Sequence, residues 1–110
     1  MAIRYELVNR TKQERVSFFR VGAGTARELA GNPAAAAITT WYLLQNSGDE
    51  ILFLNDTDGS LEAYSSLPDA TDRVIQQLIV NQILADEGKE HFLDDEPELY
   101  LRKLKNVWFS

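Results

Sequence analysis

Apolar and polar residues alternate over residues 3–8, and this period of two predicts a half-buried β-strand. Residues 9–14 are polar, as expected of a turn, and residues 15–21 are rich in aromatic and β-branched side chains. That composition after a short turn is typical of the return strand of a hairpin. The pattern therefore predicts an antiparallel β-hairpin in the first part of the chain.

Helical spacing replaces this alternation after the hairpin. Thr25 and Glu28 have the spacing of a capping box, which predicts the start of a short helix. A longer helix follows at once, with Asn32 suited to cap its first turn and Pro33 suited to its first position. Gly48 stands where a left-handed residue ends a helix. Both ends of the second helix are thus predicted from the sequence.

The second helix is apolar on nearly every side. Ile38, Trp41 and Leu44 recur at helical spacing on one side, while Ala36 and Leu43 are apolar on another. A helix of this kind is expected to be buried on more than one face. We therefore expect Trp41 to fill core volume.

The second half of the chain starts with an apolar run at residues 51–54. Turn-forming residues separate it from an alternating run at residues 60–64, so the two runs predict a second hairpin. A helix with a broad apolar face is predicted next, from Val74, Ile75, Leu78, Ile79 and Ile83. Residues 86–98 are acidic and are predicted to be irregular.

Residues 98–109 fit a helix better than a strand, although the strand alternative stays open. As a helix they place Trp108 on one apolar arc with Leu101 and Leu104, and basic residues on the opposite arc. Trp108 is therefore expected to dock on the core. Phe109 falls off that arc, which makes it a candidate contact for a protein partner.

These elements predict an α+β fold in a single domain over residues 1–110. The expected architecture has two antiparallel β-hairpins and three or four helices, in the order ββαα-ββαα, with the last element a helix or a strand. Hydrophobic residues make up 45% and charged residues 25% of the chain, which is ordinary globular composition.

The net charge of −6 is unevenly distributed. The two ends of the chain are basic and the middle is acidic, and two interpretations fit this pattern. The ends either pack beside the acidic middle and neutralise it, or form an exposed positive face that steers a charged partner. Arg15 and Arg20 are the candidate partner contacts at the basic end.

Several kinds of chemistry are excluded or disfavoured by the residues present. The chain has no cysteine, and His91 is its single histidine, so we predict no metal site, no cofactor and no thiol chemistry. The acidic balance disfavours nucleic acid as a partner. Met1 is not followed by the apolar core of a signal peptide, and the longest apolar run is too short for a membrane span, so we expect a cytoplasmic protein.

A glycine-rich turn at residues 22–27 is the one motif that suggests a ligand. Gly22, Gly24, Thr25 and Arg27 follow a strand and open a helix, where free backbone N–H groups bind phosphate in other folds. The pattern lacks the third glycine of a dinucleotide fingerprint. A small anionic ligand, with weak hydrolytic chemistry at most, is the alternative function.

The function predicted first is that of a small non-catalytic binding or regulatory protein that acts through a protein partner. It follows from the missing nucleophiles, metal ligands and phosphate loops, and from the segregated charge.

Overall fold

The computed structural model describes residues 3–57, 59, 61–92, 95–96 and 99–109, and the side chains of Leu61 and Phe109 lie outside that description. Within these ranges the chain forms five strands and three α-helices, in the order β1 (Tyr5–Asn9), β2 (Glu14–Val16), α1 (Ala26–Gly31), α2 (Pro33–Gln45), β3 (Ile51–Asn55), α3 (Thr71–Val80), β4 (Leu84–His91) and β5 (Tyr100–Asn106). Short 3₁₀ turns lie at Phe19–Val21, Leu61–Tyr64 and Val107–Phe109. The predicted α+β class and single domain are confirmed.

The first sheet has the strand order β2-β1-β3, and both of its pairings are antiparallel. The hairpin predicted from the first alternating residues is confirmed as β1 and β2. The return strand predicted over residues 15–21 is wrong beyond Val16, because Phe19–Val21 form a 3₁₀ turn. The pairing of residues 51–54 with residues 60–64 is wrong, because β3 pairs with β1, with Leu7 opposite Phe53. Residues of the expected return strand form the 3₁₀ turn at Leu61–Tyr64 instead.

The second hairpin is the pair β4 and β5, which run antiparallel with a register shift between Asp86 and Lys89. The helix favoured for residues 98–109 is therefore wrong, and so is the irregular structure expected over the first part of residues 86–98. Most of β4 is exposed on both faces, with Leu84 as its buried residue. A strand without a buried face lacks the alternation that identifies strands in a sequence.

The predicted N-terminal caps of α1 and α2 are confirmed. The Thr25 hydroxyl accepts the backbone N–H of Glu28, and the Glu28 carboxylate accepts the backbone N–H of Thr25, which completes the capping box. Asn32 Oδ1 accepts the backbone N–H groups of Ala34 and Ala35 in the first turn of α2, and Pro33 occupies the first position of that helix. The helix ends at Gln45, before the predicted Gly48, which has a φ of 93° in the following turn.

The core lies between the first sheet and the helices, and α2 is central because it contacts α1, α3 and β5. One side of α2 is buried, through Ala34, Ala35, Ile38 and Tyr42. The expectation that α2 is buried on more than one face is wrong within the described chain. Leu44 is 68% exposed, and Trp41 is only partly buried at the margin of the core.

A buried polar cluster ties the first hairpin to α2 and α3. Glu14 is buried, and it accepts two hydrogen bonds from the Arg73 guanidinium at 3.0 and 2.8 Å and a third from the Tyr42 hydroxyl. These donors, Arg73 first, hold the pKa of Glu14 below its ordinary value although burial acts in the opposite direction. Burial, followed by the hydrogen bond to Glu14, raises the pKa of Tyr42. The cluster is satisfied internally, so it acts as structural support.

Candidate interaction surface

Backbone N–H groups of the glycine-rich turn at residues 22–27 already bind an anionic group of the chain itself, the carboxylate of Glu28. Glu28 Oε1 accepts the backbone N–H of Gly24 at 3.3 Å and that of Thr25 at 3.1 Å. Hydrogen bonds from Thr25, and then from Gly24, lower the pKa of Glu28, so its carboxylate stays charged. Gly22 is exposed with a φ of 74°, and Arg27 is exposed. An external anion must therefore compete with Glu28, and the anionic ligand predicted here stays a prediction.

A melting scan with phosphate and nucleotides tests that prediction. A ligand at about 100 times its dissociation constant stabilises a protein by about 2.7 kcal/mol. We expect the wild-type melting temperature not to move, because Glu28 occupies the amides. The variant Glu28→Ala should lose some stability, because the capping box is lost, and should respond to phosphate more than the wild type does. A large phosphate shift in the wild type would contradict this interpretation of the turn.

Arg15 and Arg20, the predicted partner contacts, lie on one cleft, but both are engaged within the chain. Arg15 donates from Nε to the Leu67 carbonyl at 3.0 Å and from a terminal nitrogen to Glu6 at 2.9 Å. The Arg20 guanidinium lies 4.4 Å from the centre of the Tyr100 ring, a cation–π contact. Their assignment as partner contacts stays a prediction.

The cleft that Arg15 and Arg20 share has a volume of about 630 Å³. Phe19, which is 58% exposed, forms part of its wall. Asp69 and Asp72 line the same cleft, so its charge is mixed and not uniformly positive. A cleft of this composition does not present the positive face that steering of an acidic partner requires.

The basic ends of the chain pair with its acidic middle. Arg10 contacts Glu50 at 3.0 Å, and Arg102 contacts both Asp72 at 2.9 Å and Asp86 at 3.1 Å. Of the two interpretations of the charge pattern, mutual neutralisation is confirmed at these pairs. The observed charge distribution therefore gives little support to long-range steering.

The outward side of α2 is an uncharged surface that the described chain leaves partly open, since Thr40, Leu43 and Leu44 are exposed while Ala36 and Ala37 are half-buried. On a helix of about 3.6 residues per turn, the side opposite the buried Ile38 and Tyr42 carries small and apolar residues. We call this the α2 outward face; its members are Ala36, Ala37, Thr40, Leu43 and Leu44. Leu43 is 41% exposed and α2 contains no charged residue. Solvent-facing helix sides normally carry charged residues, so this face is unusual.

Two hollows of about 430 Å³ each flank the α2 outward face. Ala36 and Thr40 belong to both hollows and form the ridge between them. The sheet-side hollow has Tyr5 and Phe53 in its far wall, and the tryptophan-side hollow has Trp108. No charged side chain lines either hollow among the residues that the structure describes. The ridge and hollows together form an uncharged, mainly apolar surface, with polar side chains at Thr39, Thr40, Asn81 and Asn106.

Trp108 is 77% exposed at the edge of this surface, so the expectation that it docks on the core is wrong. It follows β5 in a 3₁₀ turn, and Val107 donates its backbone N–H to the Ile83 carbonyl at 2.9 Å. The predicted partner contact of Phe109 concerns a side chain outside the described part of the chain. Sequence reasoning missed Thr40, Leu44 and Trp108 as surface residues, although the all-round apolar pattern of α2 was a signal for the first two.

Among the described residues, no group of three or more carboxylate and imidazole side chains is placed to hold a metal ion. His91 is exposed on β4 and packs against the Tyr100 ring, with 5.6 Å between ring centres. No helix in the described ranges is both long and apolar enough to cross a lipid bilayer.

No protein family model, no curated protein and no solved structure matches this chain. The function must therefore be argued from the surface itself.

Proposed function

We propose that the chain is a non-catalytic binding or regulatory domain that acts by contacting a protein partner through the α2 outward face. The observation that carries the proposal is that α2 lacks charge on the side it turns to solvent, with Leu44 68% exposed there. Contiguous apolar surface that remains exposed in a soluble domain is typical of a protein interface. Proteins tolerate such a surface where a partner covers it.

The shape of the surface supports a helical or otherwise ridged partner. Small side chains at Ala36, Ala37 and Thr40 let another backbone approach closely, and the hollows beside them accept larger side chains. An amphipathic helix in an apolar groove is a common mode of peptide recognition. Aromatic residues such as Trp108 are enriched among the residues that carry binding energy at interfaces.

Selection of binders from a random peptide display library tests the proposal, because it requires no natural partner in hand. We expect the chain to select peptides with an apolar helical stripe. Their affinity should fall by more than about tenfold on the variant Thr40→Arg, because burying one unpaired charge costs several kcal/mol. The matched variant Gln76→Arg, on the exposed side of α3, should bind the same peptides as the wild type does.

Two results would contradict the proposal. One is a set of selected peptides that bind Thr40→Arg and the wild type equally. The other is a loss of binding on Phe19→Ala with none on Thr40→Arg, which would move the interface to the cleft of Arg15 and Arg20. Arginine favours helix more than threonine does, so Thr40→Arg is expected to fold normally.

A further inference from the structure

We infer that the occupant of the α2 outward face is a second copy of this chain, packed about a two-fold axis that runs parallel to α2. The inference rests on the proposed function and names the partner at that surface. Its support comes from the charge, the relief and the residue spacing of the face.

Charge restricts where two copies of this chain can meet. Each copy carries a net charge of −6, so two copies repel each other at long range. In a two-fold interface the same patch is used twice, and any charge near the axis faces its own copy. The α2 outward face and its two hollows are lined only by uncharged residues among those described, which removes that repulsion at the contact.

The shape of the α2 outward face and its two hollows is complementary to itself. Trp108 projects on one flank of the Ala36–Thr40 ridge, and the sheet-side hollow lies on the other flank. A two-fold axis parallel to α2 exchanges the flanks, so each Trp108 faces the sheet-side hollow of the other copy. A hollow of about 430 Å³ lies in the range that accepts small ring compounds, and so it accepts one indole ring.

The sheet-side hollow also offers a polar partner for an indole. The Thr39 hydroxyl in its wall is buried and makes no hydrogen bond among the described residues. A buried hydroxyl without a partner is unfavourable, and an indole N–H is a donor that needs an acceptor. Rotation of the Thr39 side chain would bring the two groups together in the dimer.

The spacing along the ridge suits a pair of parallel helices. Pro33, Ala36, Thr40 and Leu43 follow one another at intervals of three, four and three residues. This is the spacing that places residues along the seam of two helices crossing at about 20°. On a two-fold axis parallel to the helix, Thr40 then meets its own copy, and Leu43 meets its own copy one turn further along.

Sedimentation velocity of the full chain, at loading concentrations from about 1 μM to about 1 mM, tests the dimer. We expect the wild type to shift from monomer to dimer within this range. Thr40→Arg should stay monomeric, because two guanidinium groups would meet at the axis. Trp108→Ala should raise the dimer dissociation constant by about thirtyfold, as truncation of a tryptophan that fills a pocket of the partner does.

Matched variants control for charge and for lost apolar area. Gln76→Arg makes the same charge change as Thr40→Arg, and Phe92→Ala removes an aromatic ring that is 53% exposed beside β4. Both should dimerise like the wild type, and all four variants should have the far-ultraviolet circular dichroism of the wild type. A wild type that is monomeric throughout, or a dimer insensitive to Thr40→Arg, overturns the inference.

The absence of cysteine makes the orientation of the helices directly testable. Single variants Thr40→Cys and Leu43→Cys should each form a disulfide between copies on mild oxidation, because each residue lies near its own copy across the axis. An antiparallel pair centred on Thr40 would place Leu43 beside Ala37, so Leu43→Cys would not link. Cross-linking of Thr40→Cys without Leu43→Cys, or equal linking of Gln76→Cys, contradicts the parallel arrangement.

Failure of this inference is distinguishable from failure of the proposed function. A monomeric wild type that still binds display-selected peptides through Thr40 retains the interface and overturns only the second copy as occupant. A chain that neither dimerises nor selects such peptides overturns both.

Discussion

Replacing Tyr42 with alanine should lower the free energy of unfolding by about 3–5 kcal/mol, the loss typical of a buried aromatic residue. Tyr42 is only 1% exposed, and its ring fills the core between the sheet and the helices. The substitution also removes the hydroxyl that donates to Glu14. Equilibrium denaturation in urea measures the loss.

Two further variants test this description of the core around Tyr42. Tyr42→Phe keeps the ring and removes the hydrogen bond, so it should cost about 1 kcal/mol. Trp41→Ala should cost less than Tyr42→Ala, because Trp41 is partly exposed and its indole donates to Gln77 at 3.0 Å near the surface. A larger loss for Trp41→Ala than for Tyr42→Ala would contradict this description of the core.

Replacing Arg73 with alanine should cost about 3 kcal/mol at neutral pH, although the Arg73 side chain is 54% exposed. The cost comes from Glu14, whose carboxylate would stay buried without its bidentate partner. Arg10→Ala is the matched control, because the Arg10–Glu50 pair has both side chains exposed and should be worth at most about 1 kcal/mol. Similar losses for the two variants would contradict a special role of the buried cluster.

The pH dependence of the Arg73→Ala effect has a definite sign. In the wild type the pKa of Glu14 is held below its ordinary value of 4.5, chiefly by the hydrogen bonds from Arg73. The stability that Glu14 contributes is therefore complete above pH 4.5 and is lost as the pH falls through the lowered pKa. The difference between wild type and Arg73→Ala should be largest near neutral pH and should shrink in acid. A difference that grows on acidification would contradict the assignment.

The sequence predicted those elements whose signals are local. The capping box of Thr25 and Glu28, and the Asn32–Pro33 start of α2, depend on residues a few positions apart, and both are confirmed. The pairing of β3 with β1 joins residues about 45 positions apart, such as Leu7 and Phe53, and no local pattern encodes it. The turn signals at residues 55–59 favoured a nearby partner strand, and that prediction was wrong.

Strand β5 was misassigned for a different physical reason. Its apolar residues Leu101 and Leu104 are three positions apart, which is a helical interval, and neither face of the strand is fully buried. Pairing with β4 and contact with the turn at Phe19–Val21 decide its conformation. These are tertiary contacts that a single-sequence pattern does not contain.

The α2 outward face was half visible in the sequence. The all-round apolar pattern of α2 predicted a second covered face, and the structure leaves that face open within the described chain. The projection of Trp108 beside it depends on the conformation of β5, so it could not be foreseen while those residues were assigned to a helix.

The methyl spectrum of the chain, recorded by nuclear magnetic resonance while binder is added, tests the central claim most directly. The binder is a display-selected peptide in one series and additional copies of the chain in the other. The α2 outward face predicts that the methyl groups of Ala36, Thr40 and Leu44 shift, while that of Val80, which is 70% exposed at the end of α3, does not. Shifts centred on Val80, or on the cleft of Arg15 and Arg20, with none on α2, would contradict the claim that α2 carries the interface.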